Sequence, residues 1–263
     1  MNYTIIIYVF IFIVGTIFGS FYNVVGYRRP KNESIVFPAS HCPNCNHKLK
    51  YYENIPILSY LFLKGKCKNC KSKISILYPL FEIITGISFV LCYLVFGFSI
   101  EFISAIVISS TLIIISISDI RYYIIPDEVL IVGSLLLIII NVANAVINKL
   151  SFTSIVLLPI LNGFGAFSIL YLIKILGDFL FKKESLGGGD IKLLFFIGLA
   201  IGLDMSIITI FIASFIALPL SIITLVKKDS NVLPFGPYLA LATMIVIFLK
   251  MDLNMVYNFF LMH

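Results

Sequence analysis

The stretch IIIYVFIFIVGTIFGSFYNVV, Ile5 to Val25, runs for 21 residues without a charge. An α-helix rises about 1.5 Å per residue, so a run of this length crosses about 30 Å of hydrocarbon. No basic region precedes it and no small-residue cleavage site follows it, so it reads as a retained first transmembrane helix rather than a signal peptide. The pattern recurs along the chain. Of 263 residues, 60% are hydrophobic and 12% charged, with a mean hydropathy of +1.07, which excludes an ordinary water-soluble domain.

The expected fold is therefore all-α, a polytopic membrane bundle of about eight transmembrane helices. Apolar spans are predicted near 4–26, 76–97, 100–118, 128–147, 152–176, 191–203, 205–226 and 235–250. The sixth is short, and Gly198 and Gly202 weaken it further, which suggests a thin, tilted or re-entrant segment. With the N-terminus outside, 17 of the 19 Lys and Arg residues fall on the cytoplasmic side, leaving only Lys149 and Lys250 across the membrane. The same distribution accounts for the formal charge of +6 without a nucleic-acid partner, since no basic helix or stripe is present. Membrane lipid is the expected surrounding. Three segments follow: 1–26 as the first helix, 27–75 as a cytoplasmic loop, and 76–263 as the remaining bundle. No low-complexity tract or convincing internal repeat is visible.

The loop carries four of the five cysteines and ten of the 19 basic residues. About 50 residues bury too little apolar surface to fold well alone, so another source of stability is expected. Cys42-Pro43-Asn44-Cys45 and Cys67-Lys68-Asn69-Cys70 are two CxxC pairs separated by 21 residues, the pattern of a four-cysteine zinc ribbon. Structural zinc is the expected cofactor, and disulfides are disfavoured in a reducing compartment. His41 and His47 rank below the four thiols as ligands, because the CxxC pairs already complete a tetrahedral set. Cys92, inside an apolar span, reads as a small buried hydrophobe.

Acids in hydrocarbon are costly and point to function. Asp119 ends the third span, and Asp190 follows Gly187-Gly188-Gly189 at the start of the sixth. Both fall at the cytoplasmic boundary, where two carboxylates at equal depth can meet and share a proton, one serving as general base and the other as acid. The glycines permit a tight turn and close approach of a substrate backbone. Asp127, after Pro126, reads as a helix N-cap and stays outside the pair. Asn23 is placed to hydrogen-bond across helices, and Glu82 either orients an active-site group, binds a substrate amino terminus or snorkels to the interface. Glu101, Asp178 and Asp204 sit near span ends, where solvation explains them.

Several motifs, in order, resemble the type IV prepilin peptidases of bacteria, whose aspartates belong to the GxGD class of intramembrane aspartic proteases. They are Gly19-Ser20-Phe21-Tyr22-Asn23-Val24-Val25 running on to Arg28-Arg29-Pro30, the two CxxC pairs, Glu53-Asn54-Ile55-Pro56 and Tyr78-Pro79-Leu80-Phe81-Glu82. After these come Asp119 with Pro126-Asp127, then Gly187, Gly189, Asp190 and Lys192, and finally Pro234-Phe235-Gly236-Pro237-Tyr238. The resemblance implies an inner-membrane aspartic endopeptidase that cuts the leader from type IV prepilin or pseudopilin precursors at the cytoplasmic face, with Asp119 and Asp190 as catalytic residues. It also implies S-adenosylmethionine-dependent N-methylation of the new terminus as a second activity. No methyl-donor fingerprint is visible, and the loop with Glu33, Glu53 and Lys66 is where that step would be sought. Many relatives carry an acid where this chain has Arg121. Two competing classes are an ion- or proton-coupled transporter and a noncatalytic scaffold. The first expects midplane charges in paired repeats, and the second leaves the two acids without a role.

Overall fold

The computed structural model describes residues 2–182, 186–227 and 233–261. All eight predicted spans are helical. In chain order the helices are α1 (Asn2–Arg28), α2 (Leu58–Phe62), α3 (Leu77–Phe96), α4 (Ile100–Tyr122), α5 (Asp127–Ile147), α6 (Leu158–Phe181), α7 (Gly188–Ile201), α8 (Leu203–Lys227), α9 (Gly236–Phe248) and α10 (Leu253–Leu261). A π-helical turn, Thr153–Leu157, leads into α6. Among the described residues, six helical stretches are long and apolar enough to cross a bilayer, so the chain is a multi-pass membrane protein. The other two expected spans, α7 and α9, have 14 and 13 residues. Contacts divide the chain into two units, one ending at Phe98 and the other beginning at Ser99.

In the first unit α1 packs along α3, and glycine sets the separation. A Cβ on Gly15 would lie 2.8 Å from Gly86 Cα, and one on Gly19 would lie 2.8 Å from Glu82 Cα. Without an apolar driving force in lipid, helices associate by such close packing and by interhelical hydrogen bonds. Asn23 supplies one of these, donating from Nδ2 to the Tyr78 carbonyl at 3.1 Å as expected. Glu82 is buried rather than snorkelling. It accepts the Ile57 N–H at 2.7 Å and a hydrogen bond from Ser20, so it pins the start of α2 to the helix pair. That N–H belongs to a residue at φ +63°, a conformation that needs such support.

In the second unit α7 packs against α5, α6, α8 and α9. Its Ile191, Leu193, Leu194, Phe196, Ile197 and Leu199 are all buried, which explains its length: a helix enclosed by other helices need not match the bilayer thickness. Gly198 does not merely weaken it. A Cβ there would meet Ala166 Cβ and the Asn162 carbonyl, each at 2.7 Å, so glycine permits the α6–α7 crossing. Gly202 ends the helix at φ +85°. Cys92 is buried as expected, and Glu101 and Asp204 are exposed.

Candidate active site and metal centre

Helix α4 ends on Tyr123 in the left-handed conformation, whose N–H returns to the Asp119 carbonyl at 2.9 Å. The Ser118 hydroxyl donates to the Ile124 carbonyl. These bonds fold residues 123–126 back against the helix end and set Ile125 between two glycines. A Cβ on Gly189 would lie 3.0 Å from Ile125 Cβ, and one on Gly236 would lie 3.3 Å from Ile125 Cδ1. Both acids border this wedge. Asp119 and Asp190 are 5% and 9% exposed. The sequence placed them 71 positions apart; the second unit brings them into one buried site.

Gly236 contributes what the sequence reading missed. Its N–H donates to Asp119 Oδ2 at 3.0 Å, which orients that carboxylate and leaves Oδ1 for other partners. A Cβ at this position would fall 2.7 Å from the same oxygen, so only glycine lets the backbone approach. A Gly236→Ala chain should fold yet cleave substrate about 10²-fold more slowly, because displacements of about 1 Å at reacting groups cost that much. Rate assays beside thermal melting would separate the two effects.

Asp127 is not the N-cap. Pro126 holds that position and Asp127 is the first residue of α5, with no side-chain capping bond. Its carboxylate instead takes both contacts from Lys192 Nζ, at 2.7 and 2.8 Å. A half-exposed pair of this kind contributes about 0.2–1 kcal/mol. Asp127→Asn should therefore keep the cleavage rate within about fivefold, and a swap of the two charges should restore any loss.

In the other unit, Cys42, Cys45, Cys67 and Cys70 bring their Sγ atoms within 4.8 Å of one another. Sulfur separations are 3.8 Å for Cys42–Cys70 and 3.9 Å for Cys45–Cys67. A tetrahedron with Zn–S near 2.3 Å has edges of about 3.8 Å, so the thiols fit zinc. The two arms repeat one hydrogen-bond pattern at an offset of 25 residues. Cys42 N–H reaches His47 O as Cys67 N–H reaches Ser72 O, and Leu49 N–H reaches Ser40 O as Ile74 N–H reaches Gly65 O. Asn46 and Lys71 both adopt positive φ. A short repeat is thus present after all, carried by backbone conformation more than by residue identity.

The repeat produces a reciprocal pair that the sequence did not suggest. Asn44 Nδ2 donates to Cys70 Sγ and Asn69 Nδ2 donates to Cys45 Sγ, each at 3.7 Å, so each arm supports a thiol of the other. Ser72 also bonds Cys70, and its hydroxyl and N–H lower that thiol to about 5, favouring the thiolate a metal needs. His41 and His47 stay outside the set, bonding Ala39 O and Glu53 Oε2. Glu53 is a buried clamp between the arms. It accepts the Lys50 N–H and a bond from His47, and pairs with Lys68 at 3.6 Å, contacts that hold its carboxyl below the usual range despite burial. Asn44→Ala and Asn69→Ala should each weaken metal retention about tenfold, and to similar extents, in competition with a chelator.

The fold and the sites define a polytopic membrane protein with a buried pair of aspartates and a four-thiol ribbon. Family comparison places it more narrowly. Residues 106–222 match the type IV leader peptidase family, and residues 13–96 match the bacterial peptidase A24 N-terminal domain. A prepilin leader peptidase/N-methyltransferase of Bacillus subtilis is 36% identical over 233 residues, 88% of this chain and 89% of its own length. A type 4 prepilin-like proteins leader peptide-processing enzyme of Escherichia coli is 34% identical over 255 residues, covering 90% and 91%. A prepilin leader peptidase/N-methyltransferase of Myxococcus xanthus is 37% identical over 190 residues, 72% of this chain but 55% of that relative. No solved structure shows significant similarity. The chain belongs to the type IV leader peptidase family, and the transporter reading falls away.

Proposed function

We propose that the chain cleaves leader peptides from type IV prepilin or pseudopilin precursors, using Asp119 and Asp190 as its acid–base pair. The observation that carries this reading is a pair of buried carboxylates, one on α4 and one on α7, that border the same Ile125 wedge between Gly189 and Gly236. One carboxylate, ionised, takes a proton from water as its oxygen attacks the scissile carbonyl carbon. The other, protonated, donates a hydrogen bond to the carbonyl oxygen. When the C–N bond breaks, a proton passes to the departing amine. The Gly236 N–H keeps Asp119 aimed throughout.

The positive-inside bias supports an N-terminus outside and an active site at the cytoplasmic face of the inner membrane. Cys42, Cys45, Cys67 and Cys70 would hold a structural zinc ion that closes the ribbon and supplies folding energy to a small loop. The relatives named as N-methyltransferases support a second activity, transfer of a methyl group from S-adenosylmethionine to the new terminal amine. Purified protein in detergent, incubated with a pilin precursor and analysed by mass spectrometry, tests both steps. Release of the leader supports the peptidase. A mature product one methyl group heavier when the methyl donor is added supports the transferase. The proposal fails if the pilin-like precursors of the same genome all remain intact.

A further inference from the structure

The loop of the first unit holds an apolar stretch that no protein core covers. Ile55-Pro56-Ile57-Leu58-Ser59-Tyr60-Leu61-Phe62-Leu63 carries no charge, in a loop with ten basic and two acidic residues. None of these nine residues is buried. The helical part is α2, where Leu58, Leu61 and Phe62 are 49%, 63% and 82% exposed. Spacings of three and four residues put those side chains on one face. Facing water, they would form an apolar patch of the kind that marks an interaction surface.

A hydrogen bond sets the height of this face. The Ile57 N–H, just before α2, donates to Glu82 Oε2 at 2.7 Å, and Glu82 lies five residues inside α3. From Leu77 to Glu82 is about 7.5 Å along the helix axis, so α2 starts about that far toward the membrane from the beginning of α3. Apolar side chains nearer the loop than this level still point outward: Phe21 of α1, Ile76 and Leu80 are 47%, 62% and 42% exposed. The lipid-covered surface of the helix pair therefore continues past the level where α2 starts. An interfacial helix buries its apolar face about 5–10 Å into the boundary between headgroups and acyl chains, which matches this height. Lys64 and Lys66 follow α2 closely, and the loop's excess of basic residues suits an anionic lipid surface.

We propose that α2 is an interfacial helix, with Leu58, Leu61 and Phe62 set into the leaflet on the loop's side of the membrane and Lys64 and Lys66 at its headgroups. The ribbon is then held against the bilayer at a second point, besides its tethers to α1 and α3. The chain contains no Trp, so Phe62→Trp places a single fluorophore on this face. The full-length variant is placed in nanodiscs of phosphatidylcholine and phosphatidylglycerol, with lipids brominated either near the headgroup or near the chain end. Headgroup-proximal bromine should quench about half of the emission and chain-end bromine less, while aqueous iodide quenches little. Ile13→Trp, exposed midway along α1, should show the reverse order of the two brominated lipids. Adding Leu58→Glu and Leu61→Glu to Phe62→Trp should lift α2 from the bilayer, lowering lipid quenching about threefold and raising quenching by iodide. Metal content confirms that each variant keeps its ribbon. Strong iodide quenching of Phe62→Trp with none from either lipid would overturn the proposal. So would lipid quenching that the two glutamates leave unchanged. Loss of lipid quenching on adding a pilin precursor would also overturn it, giving the face to substrate.

Discussion

Purified Asp119→Asn and Asp190→Asn chains should each cleave a pilin precursor about 10³–10⁴-fold more slowly than the unaltered protein. Asn keeps the shape of Asp but can neither take a proton from water nor deliver one at neutral pH, and general acid–base groups typically supply factors of about 10²–10⁴. The double variant should be scarcely worse than either single one, because residues that act as a unit are strongly non-additive. Substrate binding should survive, so a catalytic role predicts a collapse of kcat with little change in the amount of precursor bound. Asp127→Asn is the internal contrast, since its carboxylate faces Lys192 rather than the acid pair. Near-normal cleavage by either Asp119→Asn or Asp190→Asn would remove the protease assignment from these residues.

Replacing Cys42, Cys45, Cys67 and Cys70 together by Ser should reduce the bound zinc from one ion per chain to none. Structural zinc supplies about 10–16 kcal/mol of apparent binding energy in small domains, and a loop of this size has little else to replace it. Beyond the thiols, the arms are joined mainly by the Asn44 and Asn69 contacts, whose acceptors are the Cys70 and Cys45 sulfurs, and by the Glu53 clamp. Limited proteolysis should therefore cut the loop of this variant at least tenfold faster while the helical content of the protein changes little. Metal content equal to that of the unaltered chain would rule out these four ligands. Full protease resistance without metal would show instead that Glu53 and its partners suffice to hold the arms.

The helices were legible because each is encoded locally. A run such as Ile5 to Val25 buries its backbone polar groups in its own hydrogen bonds and its side chains in lipid, whatever its neighbours do. Metal-ligand spacing is local in the same sense, and so the two CxxC pairs could be read before their geometry was known. The role of Asp127 was misread because capping was judged from its position alone. Its partner Lys192 is 65 positions away, and only the packing of α5 against α7 brings the two together. Gly198 was misread for the same reason, its value lying in Ala166 and Asn162 across the interface.

By itself, then, the sequence determined an all-helical membrane chain, a four-thiol loop and the identity of two suspicious acids, all properties of composition and short spacing. Only the tertiary structure decided that α7 is enclosed, that Gly236 aims Asp119 from 117 positions away, and that Asn44 and Asn69 exchange support between the ribbon arms. Hydrophobicity along a chain says which residues leave water, since that depends on each segment alone. Which residues then meet depends on how closely neighbouring helices and turns can approach, and here that is set by glycines whose effect comes from the atoms opposite them.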